Sequence, residues 1–246
     1  MSIQPPFFEF GPKAFLYGEE MLRMALWADE LSVKYDVDII ITPQYMDIPI
    51  LAKQTKHIHV FAQHMDGIPI GRGIGTVLPE SLVAAGAEGV LLNHCERRLT
   101  LYELENAVRR AHEVGLSTIV CADNERQGAM IAHLHPDIII AESPALVGGG
   151  QRTEDDASII ESINQEIWAV DPNIKILQGA GITNENDVYS IILAGAQAAG
   201  STSGIIKADN PKRMFEKMIC SLRKAWNEAN SYAQVENKKH EEGITK

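Results

Sequence analysis

The sequence predicts a single closed α/β barrel, a (β/α)8 fold of eight parallel strands each followed by a helix. Three observations carry that expectation. The chain has 246 residues, and a barrel of this kind takes about 250. Short apolar runs alternate with longer runs of helical period from one end of the chain to the other. The short runs are apolar at consecutive positions, as strands covered on both faces must be. An open doubly wound sheet is the competing architecture, but it usually uses fewer such units.

Phe7–Phe10 opens as a strand, and Gly18–Lys34 follows with Met21, Leu22, Ala25, Leu26 and Leu31 on one helical face. Val37–Ile41 is the second strand, and Tyr45–Ala52 a short helix. His57–Ala62 is the third strand; a glycine-rich loop separates it from a helix over Pro79–Ala85. Gly89–Leu92 precedes Leu101–Val114, Ser117–Cys121 precedes Glu125–Leu134, and Asp137–Ala141 precedes Asp155–Val170. Lys175–Gln178 leads into Asn184–Leu193. Ala196–Ala199 is the eighth strand, with the shortest apolar signal, and Pro211–Asn230 is the last helix. Right-handed crossovers between neighbours close such a series with little chain to spare. From Ser231 the composition turns polar through Glu236, Lys238, Lys239, Glu241 and Glu242. The barrel is therefore expected to fill residues 1–230, and 231–246 to form a polar, frayed C-terminal tail.

Composition sets the class. Hydrophobic residues make up 45% and charged residues 22% of the chain, which is ordinary for a globular domain. The formal net charge of −11 disfavours nucleic acid and anionic lipid as partners. It does not exclude a small anion, because one lysine or a nest of amides can dominate a pocket. Cys95, Cys121 and Cys220 lack paired spacing, which points to a reducing compartment and a cytoplasmic protein. No leader pattern and no long apolar span is visible.

In a barrel of this kind, chemistry sits just beyond the carboxyl ends of the strands. That rule collects Gly11-Pro12-Lys13, Asn93-His94-Cys95-Glu96-Arg97-Arg98, Glu142-Ser143-Pro144 with Val147-Gly148-Gly149-Gly150, Gly179-Ala180-Gly181-Ile182, and Ser201-Thr202-Ser203-Gly204. Glu142 is a carboxylate whose burial would suit it to abstract a carbon-bound proton. His94 can donate to a developing enediolate oxygen, and Lys13 supplies positive charge for that oxygen and for a phosphate. The glycines expose amides that can hold phosphate oxygens. Gly71-Arg72-Gly73-Ile74-Gly75 lacks the third glycine of a dinucleotide loop, because Thr76 stands there. His57, His59 and His64 have no carboxylate at metal-ligand spacing, so they read as structural.

These motifs, with Ala62-Gln63-His64-Met65-Asp66, Leu78-Pro79-Glu80 and Thr202-Ser203-Gly204-Ile205-Ile206-Lys207-Ala208, resemble the triosephosphate isomerase family in its shorter archaeal form. The resemblance is clearest over Val60 to Ala208. It implies an isomerase that interconverts an aldose phosphate and a ketose phosphate through an enediolate, with glyceraldehyde 3-phosphate and dihydroxyacetone phosphate as the first expectation. By that resemblance Glu142 matches the base, His94 the electrophile and Lys13 the cation, with Glu96 pairing near the lysine. Val147 and Gly148 begin the lid whose amides meet the phosphate, and Gly181, Ser203 and Gly204 complete that site; Gly11 lies on the substrate side. No cofactor and no metal is implied. A homodimer or homotetramer built around Asp66–Leu78 is implied.

The chain also departs from the family pattern. Gly11 stands where the family has an asparagine, and a lost donor of that type costs roughly 10²–10³ in rate. Ser143 replaces a proline after the base, Cys95 replaces a serine, and Ile74 lies near the position of a threonine that reaches the partner's site. Two further readings stay open on these grounds: an isomerase of a four-carbon ketose phosphate of the erythrulose type, and a non-catalytic phosphate-binding barrel. The last is at odds with the presence of Glu142.

Overall fold

The computed structural model describes the backbone of residues 3–142 and 156–243, and the side chains of 3–142 and 158–231. Eight strands are present: β1 Phe7–Phe10, β2 Asp38–Ile41, β3 Ile58–Ala62, β4 Gly89–Leu92, β5 Ser117–Ala122, β6 Ile138–Ala141, β7 Lys175–Gln178 and β8 Ala198–Gly200. All pair in parallel and in sequence order, and β8 returns to β1 to close the barrel. The closing register sets Phe7 against Ala198 and Glu9 against Gly200.

Strand alternation then divides the interior in two. Phe7, Ile40, Phe61, Leu91, Ile119, Ile140 and Leu177 fill the inside of the barrel. Phe8, Phe10, Ile39, Ile41, Val60, Leu92, Val120 and Ile139 face outward and join the helices in the larger core. Phe215 of the last helix packs on Phe8 and Phe10 with ring centroids 5.7 and 5.1 Å away. A closed barrel leaves no strand edge open to another chain.

The helices are α1 Gly18–Tyr35, α2 Ile48–Gln54, α3 Pro79–Ala85, α4 Leu101–Val114, α5 Glu125–Ala132, α6 Asp156–Val170, α7 Glu185–Leu193, α8 Ser203–Ile206 and α9 Pro211–Gly243. Local chemistry fixes their ends. Thr100 and Glu103 form a reciprocal capping box at the start of α4, and Gly115 ends it in the left-handed region at φ 82°. Asn184 and Asp187 cap α7 in the same way.

Three differences from the sequence expectation have physical causes. β8 starts two residues later than expected, at Ala198, because Gly195 and Ala196 still close α7. Gly195 adopts φ 97°, and the Ala196 amide donates to the Ile191 carbonyl at 3.1 Å. The short α8 has no counterpart in the sequence pattern, since four residues carry no period. α9 runs on past Asn230 to Gly243; Ala, Gln, Glu and Lys in this stretch are good helix formers even without an apolar face.

Gly89 sits where β4 passes closest to an aromatic ring. A Cβ there would lie 2.3 Å from the Phe61 ring and 2.6 Å from the Ser117 carbonyl. Gly89→Ala is therefore expected to destabilise the barrel by about 1–3 kcal/mol through overpacking. Urea unfolding checks this: the midpoint should fall with an unchanged slope, and an unaltered midpoint would contradict the packing.

Candidate active site

The carboxyl ends of the strands open into one cavity of about 660 Å³. Its wall carries Gly11 and Lys13 after β1, His94 and Glu96 after β4, Glu142 after β6, Gly181 after β7 and Ser203 after β8. The barrel thus brings together residues spread over most of the sequence. Gly204 is not on the wall. It is needed for close packing, because a Cβ there would sit 2.7 Å from the Ile182 carbonyl and 2.9 Å from the Thr183 Cα. Val147 and Gly148 lie outside the described residues.

Glu142 follows β6 on the inward side and is almost wholly buried. Burial pushes its carboxyl above the ordinary carboxylate range, while Lys13 and a hydrogen bond from the Cys121 thiol act in the opposite sense. Its Oε1 lies 3.4 Å from His94 Nε2. That oxygen accepts no hydrogen bond among the described residues, so the contact is one of proximity, with alignment still to be gained from a ligand.

His94 is held in a defined state. The Glu96 amide donates to its Nδ1 at 3.1 Å, which puts the ring proton of a neutral imidazole on Nε2, facing Glu142. Burial lowers its pKa, and Lys13 lowers it further. The ring is therefore neutral at physiological pH, a donor rather than a charge. The preceding Asn93 adopts φ 60°. Its side chain donates to the Cys121 carbonyl at 3.0 Å and accepts from the Leu99 amide at 3.2 Å, which locks the turn that presents His94. Arg98 bonds both the Asn93 carbonyl and Asp123.

Lys13 supplies the cation. Its Nζ lies 2.6 Å from Glu96 Oε1, and the Glu96 carboxyl is held below the usual range, first by that hydrogen bond. The pair is partly exposed, so its geometry is of more consequence than its contribution to stability. The Lys13 backbone takes φ 51°. Its carbonyl accepts from Gln44 at 2.8 Å and from Gln63 at 2.9 Å, and these two amides hold the left-handed turn.

Several wall residues fall outside the set that the strand-end rule collects. Glu9, Thr42, Gln44 and Gln63 all line the cavity. Glu9 has a readable signal: it is the one charge in the run Phe7-Phe8-Glu9-Phe10, and alternation with Phe7 points it inward. Thr42 and Gln63 continue the inward phase of β2 and β3 one step beyond their ends. Cys121, which supports Glu142, belongs to the inner face of β5. Two of the three histidines read as structural have carboxylate neighbours: His59 Nδ1 is 2.8 Å from Glu88, and His64 Nε2 is 3.4 Å from Asp66.

Known proteins agree with this architecture. Residues 17–221 match the family described as Triosephosphate isomerase. The chain is 36% identical over 206 residues to the triosephosphate isomerase of Methanobacterium bryantii, covering 83% of this chain and 91% of that one. It is 35% identical over 226 residues to that of Sulfurisphaera tokodaii, covering 91% and 98%. The solved triosephosphate isomerase from Bartonella henselae shares the fold, with a TM-score of 0.69 at 18% identity over 90% of this chain and 100% of that one. The inward carboxylate and imidazole at the mouth of a closed eight-stranded barrel thus sit in a chain that belongs to the triosephosphate isomerase family and is an isomerase.

Proposed function

We propose that this protein interconverts glyceraldehyde 3-phosphate and dihydroxyacetone phosphate through an enediolate, with Glu142 as base, His94 as electrophile and Lys13 as the stabilising cation. The observation that carries these roles is the buried Glu142 carboxylate, 3.4 Å from the Nε2 of His94, in one cavity with Lys13. Glu142 takes a proton from the carbon beside the carbonyl. The C–H electron pair forms the carbon–carbon double bond, and the carbonyl pair moves onto oxygen. His94 Nε2–H and Lys13 stabilise that oxygen. Glu142 then returns its proton to the former carbonyl carbon, while His94 passes a proton to the former carbonyl oxygen and recovers one from the neighbouring hydroxyl, whose oxygen becomes the new carbonyl. Burial strengthens the carboxylate as a base.

Glu96 positions Lys13 through their 2.6 Å contact. Gly11 bounds the substrate side, with its carbonyl held by the Thr202 hydroxyl at 2.6 Å. Gly181 and Ser203, with Val147 and Gly148, are assigned to the phosphate, and Gly204 to the packing that seats Ser203. The three free thiols, Cys95, Cys121 and Cys220, accord with a reducing cytoplasmic setting, and no helix among the described residues is long and apolar enough to cross a membrane.

A coupled assay with both triose phosphates tests the reading. Wild-type protein should turn over either substrate, and Glu142→Gln should lower kcat by roughly 10²–10⁴-fold while inorganic phosphate still inhibits. Activity that survives this change would remove Glu142 as the base. The active form of Glu142 is the carboxylate, and its pKa is raised. Activity should therefore fall with acidification at a higher pH than an ordinary carboxylate would give. The substrate phosphate, with a second pKa near 6, contributes to the same limb, and substrate titration alone separates the two.

We also propose a homo-oligomer built on the loop between β3 and α3. Ile70 and Ile74 are 72% and 107% exposed, an apolar pair poorly suited to water. Gel filtration of wild type should give a dimer or tetramer, and Ile70→Glu with Ile74→Glu a smaller species. A monomeric wild type would contradict the proposal.

A further inference from the structure

Glu9 is the charged residue on the inner face of β1, and it is only 7% exposed. Its Oε1 accepts one hydrogen bond, from the Thr42 hydroxyl at 2.9 Å. Its Oε2 has no partner among the described residues. The carboxyl is seated between two glycines. A Cβ on Gly11 would lie 2.8 Å from Oε1 and 3.4 Å from Oε2, and a Cβ on Gly200 would lie 3.1 Å from Oε2. Glu9, Gly11 and Gly200 all line the same cavity as Lys13, His94 and Glu142. A side chain at position 11 would therefore displace this carboxyl from its present seat. The absent side chain at Gly11 and the acid at Glu9 are two parts of one arrangement.

We propose that Glu9 is a substrate-binding residue: its carboxyl, bare on the Oε2 side and opened to the cavity by Gly11 and Gly200, donates a hydrogen bond to a carbonyl or enediolate oxygen of the sugar phosphate. The proposal rests on the isomerase reading above. Donation requires the acid form, and the surroundings favour it. Burial is the main cause that raises the carboxyl to about 7; the Thr42 hydrogen bond and Lys13 oppose this and Glu142 adds to it. Cys121 on β5 is the other titratable neighbour, and burial keeps it a thiol. A ligand acceptor adds a hydrogen bond that an apolar group at that position cannot make, so the group discriminates in favour of a substrate with oxygen there.

Two variants and one ligand test this. Wild-type kcat/KM for triose phosphate should fall as pH rises through about 7, because the donor is lost. Glu9→Gln, an amide that donates without titrating, should lack that fall. Glu9→Val should lower kcat/KM by roughly 10–100-fold at pH 6, yet leave inhibition by inorganic phosphate unchanged, since phosphate does not use the carbonyl end. A fall through pH 7 that persists in Glu9→Gln, or a Glu9→Val protein with wild-type kcat/KM, would overturn the proposal. Calorimetry with 2-phosphoglycolate separates this from failure of the isomerase reading. If wild type turns over no triose phosphate, the reading fails, but weaker ligand binding above pH 7 in wild type and not in Glu9→Gln would still support Glu9. Identical pH dependence in both proteins would remove it.

Discussion

Closure of eight parallel strands is the constraint on which the rest of the molecule depends. A parallel pair cannot be joined by a tight turn, so each strand is followed by a crossover that returns the chain to the same end of the sheet. Once β8 pairs with β1, every strand is enclosed, every second residue must point inward, and every strand-to-helix loop emerges at one mouth. Glu9, Thr42, Gln63 and Glu142 reach the cavity for this one reason. Each holds the last inward position, or the next one beyond it, on its strand.

The same closure sets apolar side chains beside the polar ones at the mouth. Ile140, Leu91 and Leu177 form part of the cavity wall, so a carboxyl placed beside them loses hydration. Glu142 and Glu9 both respond by rising above the ordinary carboxylate range, with burial as the largest cause in each. His94 responds in the opposite direction and stays neutral. A carboxyl raised by burial, a neutral imidazole and a lysine held by Glu96 therefore coexist within one pocket of a protein whose overall charge is −11. Local burial and one lysine govern the site, not the surface as a whole.

Much of this architecture is legible in the amino-acid sequence. α3, α4 and β7 fall on the residues that period and punctuation mark, because Pro79, the Thr100 capping box and Gly115 leave little freedom at their ends. The strand-end rule finds Lys13, His94, Glu96 and Glu142, which the barrel brings to one wall. Other features depend on three-dimensional closeness. Gly204 belongs to a motif associated with phosphate, yet its immediate need is contact with Ile182 and Thr183. Gln44 and Gln63 meet at the Lys13 carbonyl, 31 and 50 residues away in sequence, and Gln44 also donates to Gln63 Oε1 at 3.2 Å. Glu9 lies within an apolar strand, and its seat on the cavity wall emerges only when Gly11 and Gly200 are seen to flank it. The missing side chain at Gly11 reads as a loss in the sequence; in the structure it makes room for a different group.

Proton exchange with solvent tests the central claim most directly. Dihydroxyacetone phosphate incubated with the protein in deuterium oxide should gain a single deuterium on the hydroxyl-bearing carbon next to the carbonyl, at one of its two positions only, as followed by proton NMR. A single base on one face of an enediolate, held by the barrel as Glu142 is, produces that outcome. Unchanged substrate, or deuterium at both positions with equal rates, would contradict it.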